Sequence, residues 1–409
     1  MTEPLSRDTQ AVLLLCGRFA AREQAHPLDL REYNRVIDLL QKQSLRPGSL
    51  LEGAARDLDW SGSGIEPSRL QSLLQRGMAL GLAVEHWINS GLWIFSRSDD
   101  HYPSRLRQHL GRSAPALLWG VGDRRLLARG GVAIVGSRDV DEADVEWTAE
   151  IAAACAAADI TVISGGARGS DQVAMAAALA ANGTTIGVVA EGLGKPAAVA
   201  RHREAIVDGR LVLISPYYPD AGFNVGNAMG RNKLIYGLAE AALIVRSELR
   251  TGGTWAGAEE ELRRENAIPL FVRAEDGMPE GNRALVSLGA REAPRRPWSA
   301  IREWIPGAAD VSSESLSLVR DLPVTPSHGS HTKPSTDDAI ITRILAVLDV
   351  PRTSNEIATL LGMETATLNP NLKVAVDEKA IDKLMKPVRY ARPQPEASGP
   401  RQPGLFDRQ

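Results

Sequence analysis

Cysteine is nearly absent from this sequence: Cys16 and Cys155 are the whole complement in 409 residues. They make no CxxC pair and no disulfide framework, which fits a reducing, cytoplasmic setting. No run of about 18 apolar residues exists, so no segment is expected to cross a membrane. The start, MTEPLSRDTQ, lacks a basic stretch ahead of its short apolar run, so no signal peptide is expected. A surplus of charge is missing too, with 47 Lys+Arg against 50 Asp+Glu and a net charge of -3. That excludes a globally basic nucleic-acid binder and leaves room for a local basic pocket. HExxH, GxSxG, the phosphate loop GxxxxGK(S/T) and a complete GxGxxG are all absent, and the seven histidines are scattered. No nucleophile and base assemble, so a binding protein without cofactor or metal is expected rather than an enzyme.

What is present divides the chain by composition. Residues 1–95 carry apolar residues spaced by threes and fours, as in Val12–Leu15 and Tyr33, Val36, Ile37, Leu40, and read as a helical N-terminal domain. Leu70, Leu73, Leu74, Met78 and Leu80 predict a helix ending near Gly81. Over 96–305 short β-branched runs alternate with Ala-rich helical segments. Strands are predicted at Val132–Val135, Ile160–Ile163, Thr184–Val189, Leu211–Ile214, Ala242–Val245 and Leu270–Val272. Helices are predicted near 143–158, 170–182, 197–208, 230–240 and 254–266. This alternation, with strands apolar throughout, predicts an α/β fold with a Rossmann-like parallel sheet covered on both faces. Residues 306–336 have a Ser/Pro/Thr/His linker composition. Residues 337–392 read as helix, short helix, helix and then a strand from Leu384 to Ala391, which fits a winged helix. Residues 393–409 read as a disordered tail.

Three Gly-bearing segments fall at the carboxyl ends of predicted strands: Gly136-Ser137-Arg138, the run Ser164-Gly165-Gly166-Ala167-Arg168-Gly169-Ser170-Asp171, and Gly252-Gly253-Thr254. Open α/β sheets bind ligands at that edge. Glycine lets backbone approach a ligand, and a helix N-terminus offers free N–H groups to an anion. Arg138 and Arg168 add charge that pairs with phosphate, so the expected ligand is anionic, a phosphate of a nucleotide or nucleic acid. Asp171 either orients a ligand or caps a helix. Arg231-Asn232-Lys233 is placed at a helix start, where cations oppose the dipole and point to a role beyond stability.

These residues resemble the DprA/Smf family of DNA-processing proteins. The likeness runs from Tyr102-Pro103-Ser104-Arg105-Leu106 through PALLWG at 115–120 and Gly122-Asp123. It continues with VAIVGSR at 132–138, SGGARGSD at 164–171, GRNKLIYGLAEAALIV at 230–245, GGTWAGAEEEL at 252–262 and GNRALVSLGA at 281–290. The resemblance implies single-stranded DNA binding, loading of the recombinase RecA, a role in natural transformation or recombination, and a homodimer. Its pocket residues carry over to Gly136, Ser137 and Arg138, to Ser164, Gly165, Arg168, Gly169 and Asp171, and to Arg231, Asn232 and Lys233. Phosphate contacts are expected from Arg138, Arg168, Arg231 and Lys233. The Phe-Pro usual before Arg-Asn is here Ala228-Met229-Gly230, which removes one stacking aromatic; Phe223, Tyr217 and Tyr218 lie upstream as substitutes. The sheet also resembles the wider group of nucleotide-processing proteins, for which the pocket would bind a small nucleotide and Glu259 would act as an acid. Two C-terminal features complete the expectations. Residues 372–392 hold six cations against three acids, suited to duplex DNA or to a protein contact. Gln402-Pro403-Gly404-Leu405-Phe406 is similar to the peptide that docks on the bacterial sliding clamp, with Gln402, Leu405 and Phe406 as anchors.

Overall fold

The computed structural model describes residues 5–19, 25–52, 59–194, 202–275, 277–298, 301–304, 353–361, 372, 382–384 and 389–391. They divide into two units, Met1–Asp321 and Leu322–Gln409. The first unit is built on nine strands: β1 (Trp93–Ser96), β2 (Leu117–Gly122), β3 (Val132–Val135), β4 (Val162–Ser164), β5 (Thr185–Val188), β6 (Leu211–Ser215), β7 (Ala241–Ile244), β8 (Leu270–Val272) and β9 (Arg291–Glu292). Their spatial order is β1-β2-β6-β5-β4-β3-β7-β8-β9. All six predicted strands are present, shifted by two residues at most.

The sheet is mixed rather than wholly parallel. β1 runs antiparallel to β2, and β2 antiparallel to β6, while the strands from β6 to β9 are parallel. The sequence hides β2 because its glycines weaken the strand signal. Gly120 is there for packing: a Cβ would lie 2.1 Å from the Trp93 ring on the neighbouring strand. From β3 the chain steps outward through β4, β5 and β6, then crosses to the other side with β7 and β8. The order therefore reverses between β3 and β7, the point where an open sheet leaves a crevice beyond its strand ends.

Both faces of the sheet are buried, as the unbroken apolar strands require. Val132 and Ile134 of β3, with Leu243 of β7, pack on one side against Trp147, Ile151 and Cys155. Ala133, Val135 and Ile244 pack on the other against Leu234, Ile235 and Trp255. Each fully buried Val, Leu or Ile contributes roughly 1.5–3 kcal/mol. The first side belongs to α7 (Glu142–Ala157) and α8 (Ser170–Ala180), the second to α10 (Val225–Leu238) and α11 (Gly252–Leu262). Earlier in the chain come α1 (Arg7–Cys16), α2 (Leu30–Lys42), α3 (Pro67–Leu74), α4 (Gly77–Asn89), α5 (Ser104–Leu110) and α6 (Leu126–Arg129). Of the helix expected over 197–208, α9 (Arg203–Val207) is described; α12 (Glu280–Ser287) and α13 (Ile301–Trp304) follow α11.

The N-terminal helices form as their signals suggest. Asp29 and Glu32 make a reciprocal capping box on α2. The helix expected to stop near Gly81 is instead two. The break falls at Gln75–Arg76, where Arg76 donates to the Gly17 carbonyl at 3.0 Å. α4 then runs through Gly81, which sits exposed with nothing within 4 Å of a would-be Cβ and so interrupts nothing. Leu15, Val36, Leu40, Trp60 and Leu73 make a core of this segment's own. Val12, Leu13, Tyr33 and Trp87 share a second core with Trp119, Leu211 and Leu213 of the sheet.

In the second unit the described residues are mainly α14 (Ser354–Leu361) and an antiparallel pair, β10 (Asp382–Leu384) and β11 (Arg389–Ala391). The single strand expected from Leu384 to Ala391 is thus two short ones. The rest of the winged helix expected over 337–392, the linker and the tail with Gln402, Leu405 and Phe406 lie outside the described residues. Among the described residues no helix is long and apolar enough to cross a membrane.

Candidate functional site

The crevice at the switch point is held by interlocked backbone. The Ser137 N–H donates to the Arg246 carbonyl beyond β7 at 3.0 Å, and the Ser137 carbonyl accepts from the Ser170 N–H at 3.2 Å. This ties together the loops after β3 and β7 and the start of α8. The glycines serve that closeness. A Cβ on Gly136 would lie 2.3 Å from the Ser170 Oγ. Gly169, at a φ of +86°, would place one 2.4 Å from the Ser137 carbonyl, in a left-handed conformation that glycine adopts freely.

A cavity of about 570 Å³ opens above these loops. Of the residues expected from sequence, Gly136, Ser137, Arg138, Asp171, Arg231, Asn232, Gly252, Gly253 and Thr254 line it. Its wall carries the cations Arg138, Arg231 and Arg250 against the carboxylates Asp171 and Glu248. The first turn of α11 also faces it, beginning at Gly252 after an N-cap, Thr251, that makes no side-chain capping bond. Free N–H groups and the positive end of the helix dipole therefore join the arginines.

Arg231 is the singular residue. It lies within α10, not at its start: Asn224 caps that helix by accepting from the Asn227 N–H at 2.7 Å. The expected clash of cations with a helix N-terminus is thereby overturned. α10 begins earlier than its apolar pattern because Gly226, Asn227 and Gly230 read as loop residues. Arg231 is 4% exposed. Its guanidinium lies on Gly165, where a Cβ would fall 1.5 Å from Nη1. Its Nη1 approaches the Asp171 carboxylate at 3.7 Å, and its Nε is buried with no hydrogen-bond partner. Burial pushes the Arg231 guanidinium down from its ordinary range, and Asp171 only partly restores it. Burial likewise pushes the Asp171 carboxyl up, opposed first by Arg231 and then by the N–H groups of Ala167 and Gly165. Asp171 is therefore no simple helix cap. It braces the 164–171 loop and faces Arg231.

Asn232 lines the cavity and pins α10 to α11, donating to the Gly253 carbonyl at 3.0 Å. Lys233 points elsewhere: it is half-buried, its ammonium pushed down by burial and supported by Glu260. Ser164 donates to the Ile134 carbonyl at 2.6 Å, and its side chain also lies against the Asp171 carboxyl. Gly165 and Gly166 shape the loop, Gly165 by seating Arg231 and Gly166 by a φ of +64°. Arg168 and Gly169 line a second, open groove of about 660 Å³ that shares Arg138 with the cavity and also holds Arg246. There Arg168 pairs with Asp139 at 2.7 Å, both largely exposed.

Sequence reasoning passed over several contributors. Glu248, Arg250, Tyr236 and Trp255 line the cavity without belonging to a Gly loop. Asn282 is fully buried and accepts from the Ser247 N–H at 2.9 Å while donating to the Val245 carbonyl at 3.0 Å. Asp144, on α7, binds both Arg246 and Arg273. Only the run of loop, helix and strand ends in space brings these together. Glu259, the acid expected for a nucleotide-processing site, pairs with Arg263 at 2.8 Å and does not line the cavity.

Comparison with known proteins completes the picture. Residues 93–296, which hold the whole cavity, match the family described as DNA recombination-mediator protein A. The DNA processing protein DprA of Streptococcus pneumoniae is 33% identical over 201 residues, 48% of this chain and 69% of that protein. Protein Smf of Escherichia coli is 33% identical over 182 residues, 43% of this chain and 48% of that protein. The X-ray structure of the Streptococcus pneumoniae DprA shares the fold, with a TM-score of 0.56 at 23% identity over 71% of this chain and 95% of that one. With the motifs in order along the matched segment and the loops they form gathered on one cavity, the chain belongs to the DprA/Smf family of DNA recombination mediators.

Proposed function

We propose that this chain binds single-stranded DNA at the switch-point cavity and delivers it to the recombinase RecA, in natural transformation or general recombination. The observation that carries the reading is Arg231. A guanidinium buried at the wall of a cavity, with an unpartnered Nε and one carboxylate at 3.7 Å, has less hydrogen-bonded compensation than buried charges normally have. A phosphate supplies it, and the free N–H groups of α11 and the exposed Arg138 extend the same preference outward. Membership of a recombination-mediator family agrees with a role in holding DNA rather than cutting it. RecA, a second copy of the chain and the sliding clamp are the partners this reading includes.

Fluorescence anisotropy of a labelled single strand across a salt series tests it. Wild-type protein is expected to bind with affinity that rises with strand length and falls steeply with salt. Arg138→Ala should weaken binding and reduce the slope by about 0.7, the value for one phosphate contact on a single strand. Lys233→Ala, off the cavity, should change little. Absence of strand binding, or displacement by a mononucleotide at micromolar concentration, would defeat the reading in favour of a nucleotide sensor.

A further inference from the structure

We infer that Phe223 is a stacking platform for an unpaired nucleobase, and that it gives the cavity its preference for a single strand over a duplex. The inference rests on the reading of the cavity as a DNA site and names the residue that meets the base.

Among the described Phe, Tyr and Trp residues whose burial is defined, Phe223 alone is exposed, at 51%. Its neighbours Val225 and Met229 are exposed as well, at 66% and 50%. Three large apolar side chains within seven residues make a local patch at the start of α10, and such patches mark contact sites. This one adjoins the cavity, since Val225 and Met229 line it. The Arg138 guanidinium lies 5.3 Å from the centre of the Phe223 ring. One side chain thus touches both the cationic wall and the aromatic rim. A nucleotide whose phosphate meets Arg138 has its base within reach of the ring.

The other aromatics nearby are committed. The Tyr217 hydroxyl donates to the Asn227 carbonyl at 2.7 Å. Tyr218 packs edge-on against Trp87, with ring centres 6.3 Å apart. Phe223 instead carries the Arg138 guanidinium over its ring, and both side chains are exposed. Phosphate contacts alone do not tell a single strand from a duplex, because both present phosphates. A base can offer its face to a ring only when it is unstacked, which a single strand permits and a duplex resists.

The test measures anisotropy with four probes: a labelled oligothymidylate, the same strand with abasic positions, a duplex of equal length, and inorganic phosphate as competitor. Phe223→Ala is expected to weaken oligothymidylate binding about 5- to 100-fold, the loss of one base stack. Phe223→Trp should retain it. Wild type and Phe223→Ala should bind the abasic strand equally and respond equally to phosphate, and the preference over duplex should shrink in Phe223→Ala. The inference fails if Phe223→Ala binds oligothymidylate as wild type does, or loses affinity for the base-bearing and abasic strands alike. If Arg138→Ala then still weakens binding, the cavity reading stands without it; if wild type binds no strand, both fail.

Discussion

Arg231 and Gly165 form one device. The guanidinium occupies the space a side chain on residue 165 would fill, so the glycine is required by contact and not by backbone conformation, its φ being one any residue adopts. On the proposed reading, a short Gly-Gly run matters for binding without touching a ligand, because it seats the cation assigned to the phosphate. Gly165→Ala should therefore act at a distance of one side chain. The added methyl must push the guanidinium aside, an overpacking cost of about 1–3 kcal/mol, and must move the charge off the cavity wall. The expected outcome is a folded protein with a lowered melting temperature and weakened binding of single-stranded DNA. Thermal denaturation and anisotropy on the same preparation check it. Wild-type DNA affinity in a stably folded Gly165→Ala protein would falsify the assignment of Arg231 as the buried phosphate contact.

At the scale of elements, the cavity depends on how the loop after β7 is carried. That loop runs from Val245 to Thr251 and contributes Glu248, Arg250 and Thr251 to the wall. Asn282, on α12, holds its start: it satisfies the Ser247 N–H and the Val245 carbonyl, and donates to the Arg273 carbonyl at 3.1 Å. Beside it, Gly281 lets α12 approach, since a Cβ there would meet the Ser247 carbonyl at 2.1 Å. Asn282→Ala strands buried backbone groups at the ends of β7 and β8, which should cost about 2–4 kcal/mol and loosen the wall. Denaturant unfolding is expected to show the loss, and anisotropy a weaker hold on single-stranded DNA. The parallel strands were legible because two-sided burial leaves them apolar without interruption. So were the Gly loops, through their place at strand ends. Asn282 was not, because a lone polar residue in a helix carries no pattern, and two of its three partners lie more than thirty residues away, beyond the end of β7. Nor was the start of α10, whose glycines and asparagines favour loops until tertiary packing overrides them.

For the whole first unit the question is whether the N-terminal helices are a separate body. Helical periodicity shows that a face is apolar and says nothing about what covers it, so the sequence divides residues 1–95 from the sheet on composition alone. The packing joins them. Trp87 of α4 is 2% exposed and stands edge-on to Trp119 of β2, with ring centres 6.1 Å apart, and close to Tyr218 beyond β6. Phe19 completes the cluster from the other end of the helical segment. The antiparallel strands β1 and β2 are thereby the seam between helices and parallel sheet. A seam of this kind makes the two parts melt together. Trp87→Ala leaves a cavity at the junction, worth about 3–5 kcal/mol for a buried Trp. Thermal unfolding followed by far-ultraviolet circular dichroism, dominated by helix, and by tryptophan fluorescence, dominated by the seam and core, should give coincident transitions in wild type. In Trp87→Ala both should shift down together. If the helical signal is lost first while the sheet keeps its wild-type midpoint, the helices are a separate body and the shared core is only a contact.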